Sequence, residues 1–94
     1  MKVKLMLKLF RTKIFLKEYA KLKFTDKLYM KYVVYVTTLL KEENLPLESR
    51  DHQLKGDWKN FCEFHVSGDL LVIYKIQNNT LYLARIGTHS QLFK

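Results

Sequence analysis

The stretch LLVIYKIQNNTLYLARIG, residues 70–87, decides the fold. Leu70–Ile76 is almost continuously apolar, which favours a central strand that is buried on both faces. Asn78-Asn79 is typical of a tight hairpin turn. Thr80–Ile86 is then a strand that pairs back along the first one, and Gly87 ends it. The segment predicts an antiparallel hairpin at the centre of a sheet.

A third strand is expected just before this hairpin. Trp58–Val66 alternates between two sides, and Ser67-Gly68-Asp69 has the composition of a turn. Cys62 lies on the more apolar side of this strand, so we interpret it as a core residue and not as a nucleophile. The preceding segment, Glu48–Asp57, is polar and is predicted to be a loop. The C-terminal half should therefore form a three-stranded meander.

The N-terminal half predicts one strand and two helices. Residues 2–9 alternate strictly, as a half-buried strand does, and apolar residues recur at helical spacing over residues 11–23. A second helix begins at Thr25 or Asp26 and ends near Asn44, before Pro46. The expected fold class is α+β, with both helices on one face of the sheet. The buried side of the first strand would consist of Val3, Leu5, Leu7 and Leu9.

Length and composition bound the possibilities further. A chain of 94 residues with 48% hydrophobic residues is expected to be a single domain, residues 1–94. One cysteine excludes an internal disulfide framework and fits a reducing compartment. The apolar runs are far too short to span a membrane, so we expect a cytoplasmic protein without a membrane partner.

The formal net charge of +8 is concentrated in residues 1–41, which hold 11 basic and two acidic residues. A basic half suggests a polyanionic partner, because neutralising phosphates releases condensed counterions. A lysine-rich solubilising face or an acidic protein partner would give the same charge. The charge alone does not choose among these three explanations.

The residues suited to chemistry lie in the C-terminal half. His52 falls in the polar loop, His65 near the end of a strand, and His89 just beyond the last strand, while Asp69 and Arg85 each lie four residues from a histidine. If the ends of adjacent strands meet, these side chains converge on one edge of the sheet. They could then cleave RNA through its own 2′-hydroxyl, which requires a base, a cation for the phosphorane and an acid for the 5′-oxygen.

Each of these residues also has a structural explanation. A single histidine is ordinarily a surface or half-buried polar residue, and Asp69 also fits the role of a simple turn former. Arg85 could pair with Glu63 across neighbouring strands. Phe93 fits the core as well as a base-stacking platform, and Trp58 is assigned to the core or to anchoring the loop. The spacing of the three histidines matches no compact zinc pattern, so no metal or other cofactor is expected.

Several blocks of the C-terminal half resemble the YafQ-type toxins of the RelE/ParE superfamily. The blocks are LPL (45–47), DHQLKGDWK (51–59), FHV (64–66), DLLVIY (69–74) and RIGTHSQLF (85–93). The resemblance implies a RelE-like fold, with two N-terminal helices on a twisted antiparallel sheet made of the N-terminal strand and the meander. It also implies the toxin of a type II toxin–antitoxin system. Such a toxin is a metal-independent endoribonuclease, or mRNA interferase, whose partners are mRNA, the ribosome and a cognate antitoxin.

The resemblance assigns roles to the catalytic set His52, His65, Asp69, Arg85 and His89. His89 would donate a proton to the 5′-oxygen, Asp69 or His65 would assist removal of the 2′ proton, and Arg85 would hold the scissile phosphate. The positions expected to bind RNA are Lys55, Lys59, Glu63 and Phe93.

One position departs from the family pattern. Cys62 stands where an arginine is common, and Lys55 or Lys59 would then have to compensate for the missing cation. The basic strand and first helix would contact the ribosomal RNA backbone, and the same face could dock the antitoxin.

Two other functions stay open. The first is a ParE-like toxin that inhibits a protein target such as DNA gyrase, a role that needs no set of histidines. The second is a non-catalytic basic domain that binds RNA.

Overall fold

The computed structural model describes residues 5–93, which form one five-stranded sheet and the helices that cover it. Short 3₁₀ turns at Leu47–Ser49 and Gly56–Trp58 flank the second strand. None of the helices within residues 5–93 has the length and apolar character needed to cross a membrane. In chain order the elements are β1 (Lys8–Arg11), α1 (Lys13–Ala20), α2 (Asp26–Leu40), β2 (His52–Gln53), β3 (Cys62–His65), β4 (Leu70–Gln77), β5 (Thr80–Thr88) and α3 (His89–Leu92).

The strands lie in the order β1-β5-β4-β3-β2. Strands β2 to β5 are antiparallel to their neighbours, so the predicted meander is confirmed. β1 instead runs parallel to β5, which makes the sheet mixed rather than wholly antiparallel. After β1, the two helices carry the chain across the sheet to its far edge, where β2 begins the antiparallel run. The polar loop predicted over residues 48–57 therefore contains a short edge strand.

The hairpin formed by β4 and β5 is the longest pairing of the sheet. It extends from Leu70 opposite Thr88 to Gln77 opposite Thr80. Asn78 and Asn79 both adopt positive φ, 51° and 59°, which matches the twist of a two-residue hairpin turn. β5 does not end at Gly87 as expected, because α3 begins only after Thr88.

Two apolar clusters cover the two faces of the sheet. β4 contributes to both clusters, as predicted for a central strand, and both long helices pack on the same face. The cluster beneath the helices contains Phe15, Tyr32, Tyr35, Val36 and Leu39 packed with Phe64, Val72, Leu81, Leu83 and Ile86. The cluster on the other face contains Leu71, Ile73 and Leu92 with the partly buried Trp58, Phe61 and Phe93.

The first strand differs most from expectation. β1 begins at Lys8, and residues 2–4 of the predicted strand, including Val3, lie outside the described residues. Leu7 is buried as predicted, and its N–H donates to the carbonyl oxygen of Leu40 at 2.8 Å. Leu5 and Leu9 are exposed, contrary to the prediction. As the edge strand of the sheet, β1 has most of its surface in contact with solvent.

Threonine side chains set the helix starts. The hydroxyl of Thr12 accepts from the N–H of Phe15 at 3.0 Å, so α1 starts two residues later than expected. Thr25 caps α2 in the same way, which confirms one of the two predicted caps. α2 ends at Leu40, four residues before Asn44. α3 was not predicted, although Thr88 and Gln91 form a capping box, whose sequence pattern is a helix-start signal.

A hydrogen bond from the core anchors the segment that precedes β2. The hydroxyl of Tyr74, which is buried beneath the helices, donates to Oδ1 of Asp51 at 2.5 Å. Burial, together with this bond, raises the pKa of Tyr74. Asp51 directly precedes His52, so the bond fixes the backbone that carries the first of the three histidines.

Replacing Phe15 with alanine tests the packing of α1 on the sheet. Phe15 is fully buried (0% exposed), whereas its neighbour Leu16 is 42% exposed. We expect Phe15→Ala to lower the free energy of unfolding by about 3–5 kcal/mol, through lost burial and the cavity left behind. Leu16→Ala is the matched control and should change it by less than about 0.5 kcal/mol. Urea unfolding monitored by circular dichroism measures both values, and equal losses would contradict this packing.

Replacing Tyr74 with phenylalanine removes the bond to Asp51 but keeps the ring in the core. We expect the free energy of unfolding at pH 7 to fall by about 1–3 kcal/mol, the range for a hydrogen bond to a charged group. A raised tyrosine pKa in the folded state stabilises the fold fully below the ordinary value of 10.0, and this contribution is lost as the pH rises above it. Denaturant titrations from pH 7 to 11 should therefore show a smaller alkaline loss in Tyr74→Phe than in the parent. Identical alkaline losses would show that Tyr74 is not the group responsible.

Candidate active site

A closed ring of polar contacts joins β2, β3 and the residue Arg50. The pairing of β2 with β3 places His52 opposite Glu63. Oε2 of Glu63 accepts a hydrogen bond from Nε2 of His65 at 2.7 Å and lies 3.7 Å from Nε2 of His52. Arg50 closes the ring, since its Nη2 lies 2.9 Å from Nδ1 of His65 and its carbonyl oxygen lies 2.6 Å from Nδ1 of His52.

These contacts give the two histidines opposite tautomers. A guanidinium can only donate, so Nδ1 of His65 accepts from Arg50 and Nε2–H of His65 donates to Glu63. A carbonyl oxygen can only accept, so Nδ1–H of His52 donates to Arg50. The neutral ring of His52 therefore has an unprotonated Nε2 that faces the carboxylate of Glu63.

The two histidines also differ in their exposure to solvent. The side chain of His52 is 53% exposed, whereas that of His65 is 10% exposed. The carboxylate of Glu63 is also buried, and it accepts a hydrogen bond from Nε2–H of His65. His52 is thus the histidine of the ring that can meet a substrate. Both ring nitrogens of His65 are already occupied by the protein.

Arg50 is the member of the ring that sequence reasoning missed. It follows the 3₁₀ turn Leu47–Ser49 and adopts the left-handed conformation, with φ 50° and ψ 39°. Its Nη2 also donates to the carbonyl oxygen of Gly68 at 3.4 Å, in the turn between β3 and β4. The only signal in the sequence was a basic residue two positions before His52.

Arg85 is held by α1 rather than by the strands beside it. Its Nε lies 3.0 Å from both carboxylate oxygens of Glu18, and its Nη2 donates to Oε2 of Glu18 at 2.7 Å. Glu18 also accepts from the N–H of Ile86 at 3.2 Å. The bond to Glu18 raises the pKa of Arg85. The alternative pairing of Arg85 with Glu63 is wrong, because β4 lies between their strands.

The register of the sheet relates Arg85, Asp69 and His89 to the ring. Glu63 pairs with Ile73, and Ile73 pairs with Arg85, so Arg85 lies two strand spacings, about 10 Å, from Glu63. Asp69 directly precedes Leu70 and His89 directly follows Thr88, two residues that face each other. Asp69 and His89 therefore emerge side by side at the end of the sheet where His65 also lies.

Aromatic rings form a wall next to His89. The ring of His89 lies 4.8 Å from that of Phe93, and Phe93 meets Trp58 edge to face at 6.4 Å. Trp58 in turn packs against Phe61 at 5.1 Å. Phe93 is partly buried, so it both closes the second apolar cluster and supports the exposed His89. The assignment of Trp58 to the core is confirmed.

The remaining expected positions lie around the β2–β3 connection. Lys55 and Lys59 are exposed on either side of the 3₁₀ turn Gly56–Trp58. Cys62 packs with the cluster beneath the helices, and burial raises the pKa of its thiol, which agrees with a core role. Glu63 points to the opposite face of β3 from Cys62. An arginine at position 62 would therefore lie on the helix side of the sheet, so cysteine there does not remove a cation from the face that carries the histidines.

In residues 5–93, no three side chains of histidine, cysteine, aspartate or glutamate are grouped so as to hold a metal ion. In the ring itself, both nitrogens of His65 are taken up by protein contacts.

The amino-acid sequence matches a known protein family and individual members of it. Residues 7–94 match the family described as a bacterial toxin of type II toxin–antitoxin system, YafQ. The mRNA interferase toxin YafQ of Escherichia coli K12 is 41% identical over 66 residues, which cover 68% of this chain and 72% of that protein.

Solved structures show the same fold. A copper-bound mutant toxin from Helicobacter pylori is 40% identical and superposes with a TM-score of 0.82, over 94% of this chain and 100% of that one. A chain of the E. coli DinJ–YafQ toxin–antitoxin complex is 27% identical, with a TM-score of 0.77 over 98% of this chain and 100% of that one. The expected α+β, RelE-like class is thereby confirmed. The chain belongs to the YafQ family of bacterial toxins of type II toxin–antitoxin systems.

Proposed function

We propose that this toxin is an mRNA interferase, an endoribonuclease that cleaves mRNA by attack of the 2′-hydroxyl on the adjacent phosphodiester. The observation that carries the proposal is His52, an exposed imidazole whose unprotonated nitrogen faces a buried carboxylate. The name of the E. coli relative, mRNA interferase toxin YafQ, supports the same reaction. The expected function from sequence is therefore retained, with a change in the role of individual histidines.

His52 acts as the general base. Its Nε2 takes the proton of the 2′-hydroxyl, and the imidazolium that forms is bonded through Nδ1–H to the Arg50 carbonyl oxygen. The Glu63 carboxylate, 3.7 Å from Nε2, stabilises the new positive charge. Glu63 therefore serves the base from a buried position, instead of contacting RNA as the resemblance implied.

His65 holds Glu63 in place and does not exchange protons with RNA. Its ring is buried, and its two nitrogens bond to Arg50 and Glu63. A group that is bonded on both sides has no lone pair for the 2′ proton. We therefore assign the removal of this proton to His52, in place of His65 or Asp69.

His89 acts as the general acid that protonates the 5′-oxygen. It is exposed at the start of α3, and Phe93 supports one face of its ring. Asp69 emerges beside it at the same end of the sheet. Phe93 is only partly buried, so its ring offers a surface on which a base can stack.

Cationic side chains around the candidate site hold the RNA backbone. The bonds to Glu18 occupy Nε and Nη2 of Arg85, which leaves Nη1 to meet the scissile phosphate. Lys55 and Lys59, exposed on the β2–β3 connection, bind neighbouring phosphates. The basic N-terminal half contacts ribosomal RNA, and a cognate antitoxin binds the toxin in the resting cell. A toxin with these targets acts in the cytoplasm.

The two other functions predict different outcomes. A ParE-like inhibitor of DNA gyrase would leave mRNA intact, and a non-catalytic domain would bind RNA without cutting it. Neither function explains why Glu63 is buried against two histidines of opposite tautomer. Mapping mRNA ends on ribosomes treated with the purified toxin separates all three, and intact mRNA would reject the interferase.

Removing either proton-transfer group should abolish most of the activity. We expect His52→Ala and His89→Ala each to slow single-turnover cleavage of ribosome-bound mRNA by about 10²–10⁴-fold, the range for a lost general base or acid. Both side chains are exposed, so the unfolding midpoint should stay close to that of the parent. Ribosome affinity, measured by co-sedimentation, should also be unchanged. Parent-like cleavage by His52→Ala would show that the base is another group.

Replacing Glu18 with glutamine tests the attachment of Arg85. The glutamine oxygen can still accept from the N–H of Ile86, but the charged pair with Arg85 is lost. We expect the free energy of unfolding to fall by about 1–3 kcal/mol and cleavage to slow, because Arg85 is no longer fixed. Lys17→Gln, an exposed change of one charge on the same helix, is the control for stability. If both variants unfold at the same urea concentration, Glu18 does not hold Arg85 in solution.

A further inference from the structure

We propose that Arg50 is a positioning residue of the cleavage site, one that sets the tautomers of both His52 and His65. The proposal rests on the proposed function for its kinetic consequences, but the tautomers can be measured without any activity. Arg50 lies outside the resemblance blocks and was not among the residues expected to act in catalysis.

The backbone of Arg50 acts on His52. With φ 50° and ψ 39°, the residue is left-handed, a conformation that costs free energy for a residue with a side chain. In this conformation its carbonyl oxygen lies 2.6 Å from Nδ1 of His52, two residues later. The carbonyl therefore keeps the proton of neutral His52 on Nδ1 and leaves Nε2 unprotonated.

The side chain of Arg50 acts on His65 in the opposite sense. Nη2 donates to Nδ1 of His65 at 2.9 Å, so the proton of neutral His65 stays on Nε2 and is donated to Glu63 at 2.7 Å. The ring is buried, and an Nδ1 without a donor would be left unsatisfied. Glu63 can only accept, so it favours the same tautomer from the other side of the ring, and Arg50 supplies the donor that Nδ1 would otherwise lack.

The same guanidinium nitrogen connects the ring to the β3–β4 turn. Nη2 carries two hydrogens, and the second points to the carbonyl oxygen of Gly68 at 3.4 Å. Gly68 directly precedes Asp69, so one side chain links the backbone before β2 to the turn that presents the acidic residue. Because both hydrogens of Nη2 are used within the protein, this nitrogen acts through His65 and Gly68 and not on the phosphate.

Two substitutions separate the side chain from the backbone. Arg50→Met keeps the stem of the side chain and the cost of the left-handed backbone, whereas Arg50→Gly relieves that cost. Both remove the guanidinium. Lys55→Met removes an equal charge from an exposed position on the other side of β2, so it controls for the loss of one cation.

The first measurement is the ¹⁵N and ¹H NMR spectrum of the histidine rings at neutral pH. In the parent we expect His52 protonated on Nδ1 and His65 protonated on Nε2. In Arg50→Met and Arg50→Gly, the Nδ1 resonance of His65 should shift because this nitrogen loses its donor, while it should stay unchanged in Lys55→Met. An unchanged His65 spectrum in both Arg50 variants would overturn the proposal, whether or not the protein cleaves RNA.

The second measurement separates kcat from KM for cleavage of ribosome-bound mRNA. Loss of a residue that orients a reacting group without touching the substrate commonly lowers activity by about 10–100-fold. We therefore expect both Arg50 variants to lower kcat by about that factor with KM unchanged. Lys55→Met should instead raise KM. If the Arg50 variants raise KM and reduce the salt dependence of binding, Arg50 contacts a phosphate and is not a positioning residue. Absence of cleavage by the parent would reject the proposed function and leave the NMR result standing.

Discussion

The organisation of the site depends on one buried charge, the carboxylate of Glu63. A carboxylate that is 4% exposed must be compensated by donors, and His65 supplies the closest one at 2.7 Å. The second strand of the sheet is only two residues long, yet its pairing brings His52 to the other side of the same oxygen. Without this charge, the side chains of His52 and His65 would lose the shared contact that brings them together. The burial of Glu63 and the exposure of His52 are therefore two parts of one arrangement.

The parts of the fold that the sequence predicted well are the ones with local signals. The asparagine pair predicted the hairpin turn, and the threonine before α2 predicted its start, because both depend on a few neighbouring residues. The parallel pairing of β1 with β5 could not be predicted in this way, since its partners are far apart in sequence. The buried side of β1 was misjudged for the same reason: an alternating pattern does not show that a strand will lie at an edge.

The candidate site was predicted as a set of residues but not as a set of roles. From sequence, the three histidines were equivalent; in the structure His65 is enclosed and His52 is open to solvent. The contact of Arg85 with Glu18 spans 67 positions and joins a strand to a helix, so no periodic pattern in the sequence predicts it. Arg50 was missed because its role depends on a left-handed backbone conformation, and arginine carries no preference for that conformation. The departure at Cys62 also became clear only when the strand was seen to turn that side chain toward the helices.

The position of β5 between β1 and β4 has a consequence for how the toxin is made. Chains are synthesised from the N-terminus, so β1 and both long helices leave the ribosome well before the strand on which they pack. Pairing of Lys8 with Thr80 closes a very long loop, which makes it a late event in folding. Until β5 has been synthesised, the two long helices lack part of the surface on which they pack. Arg85 belongs to β5, so its ion pair with Glu18 cannot form before then. The topology therefore makes completion of the core and completion of the candidate site the same event.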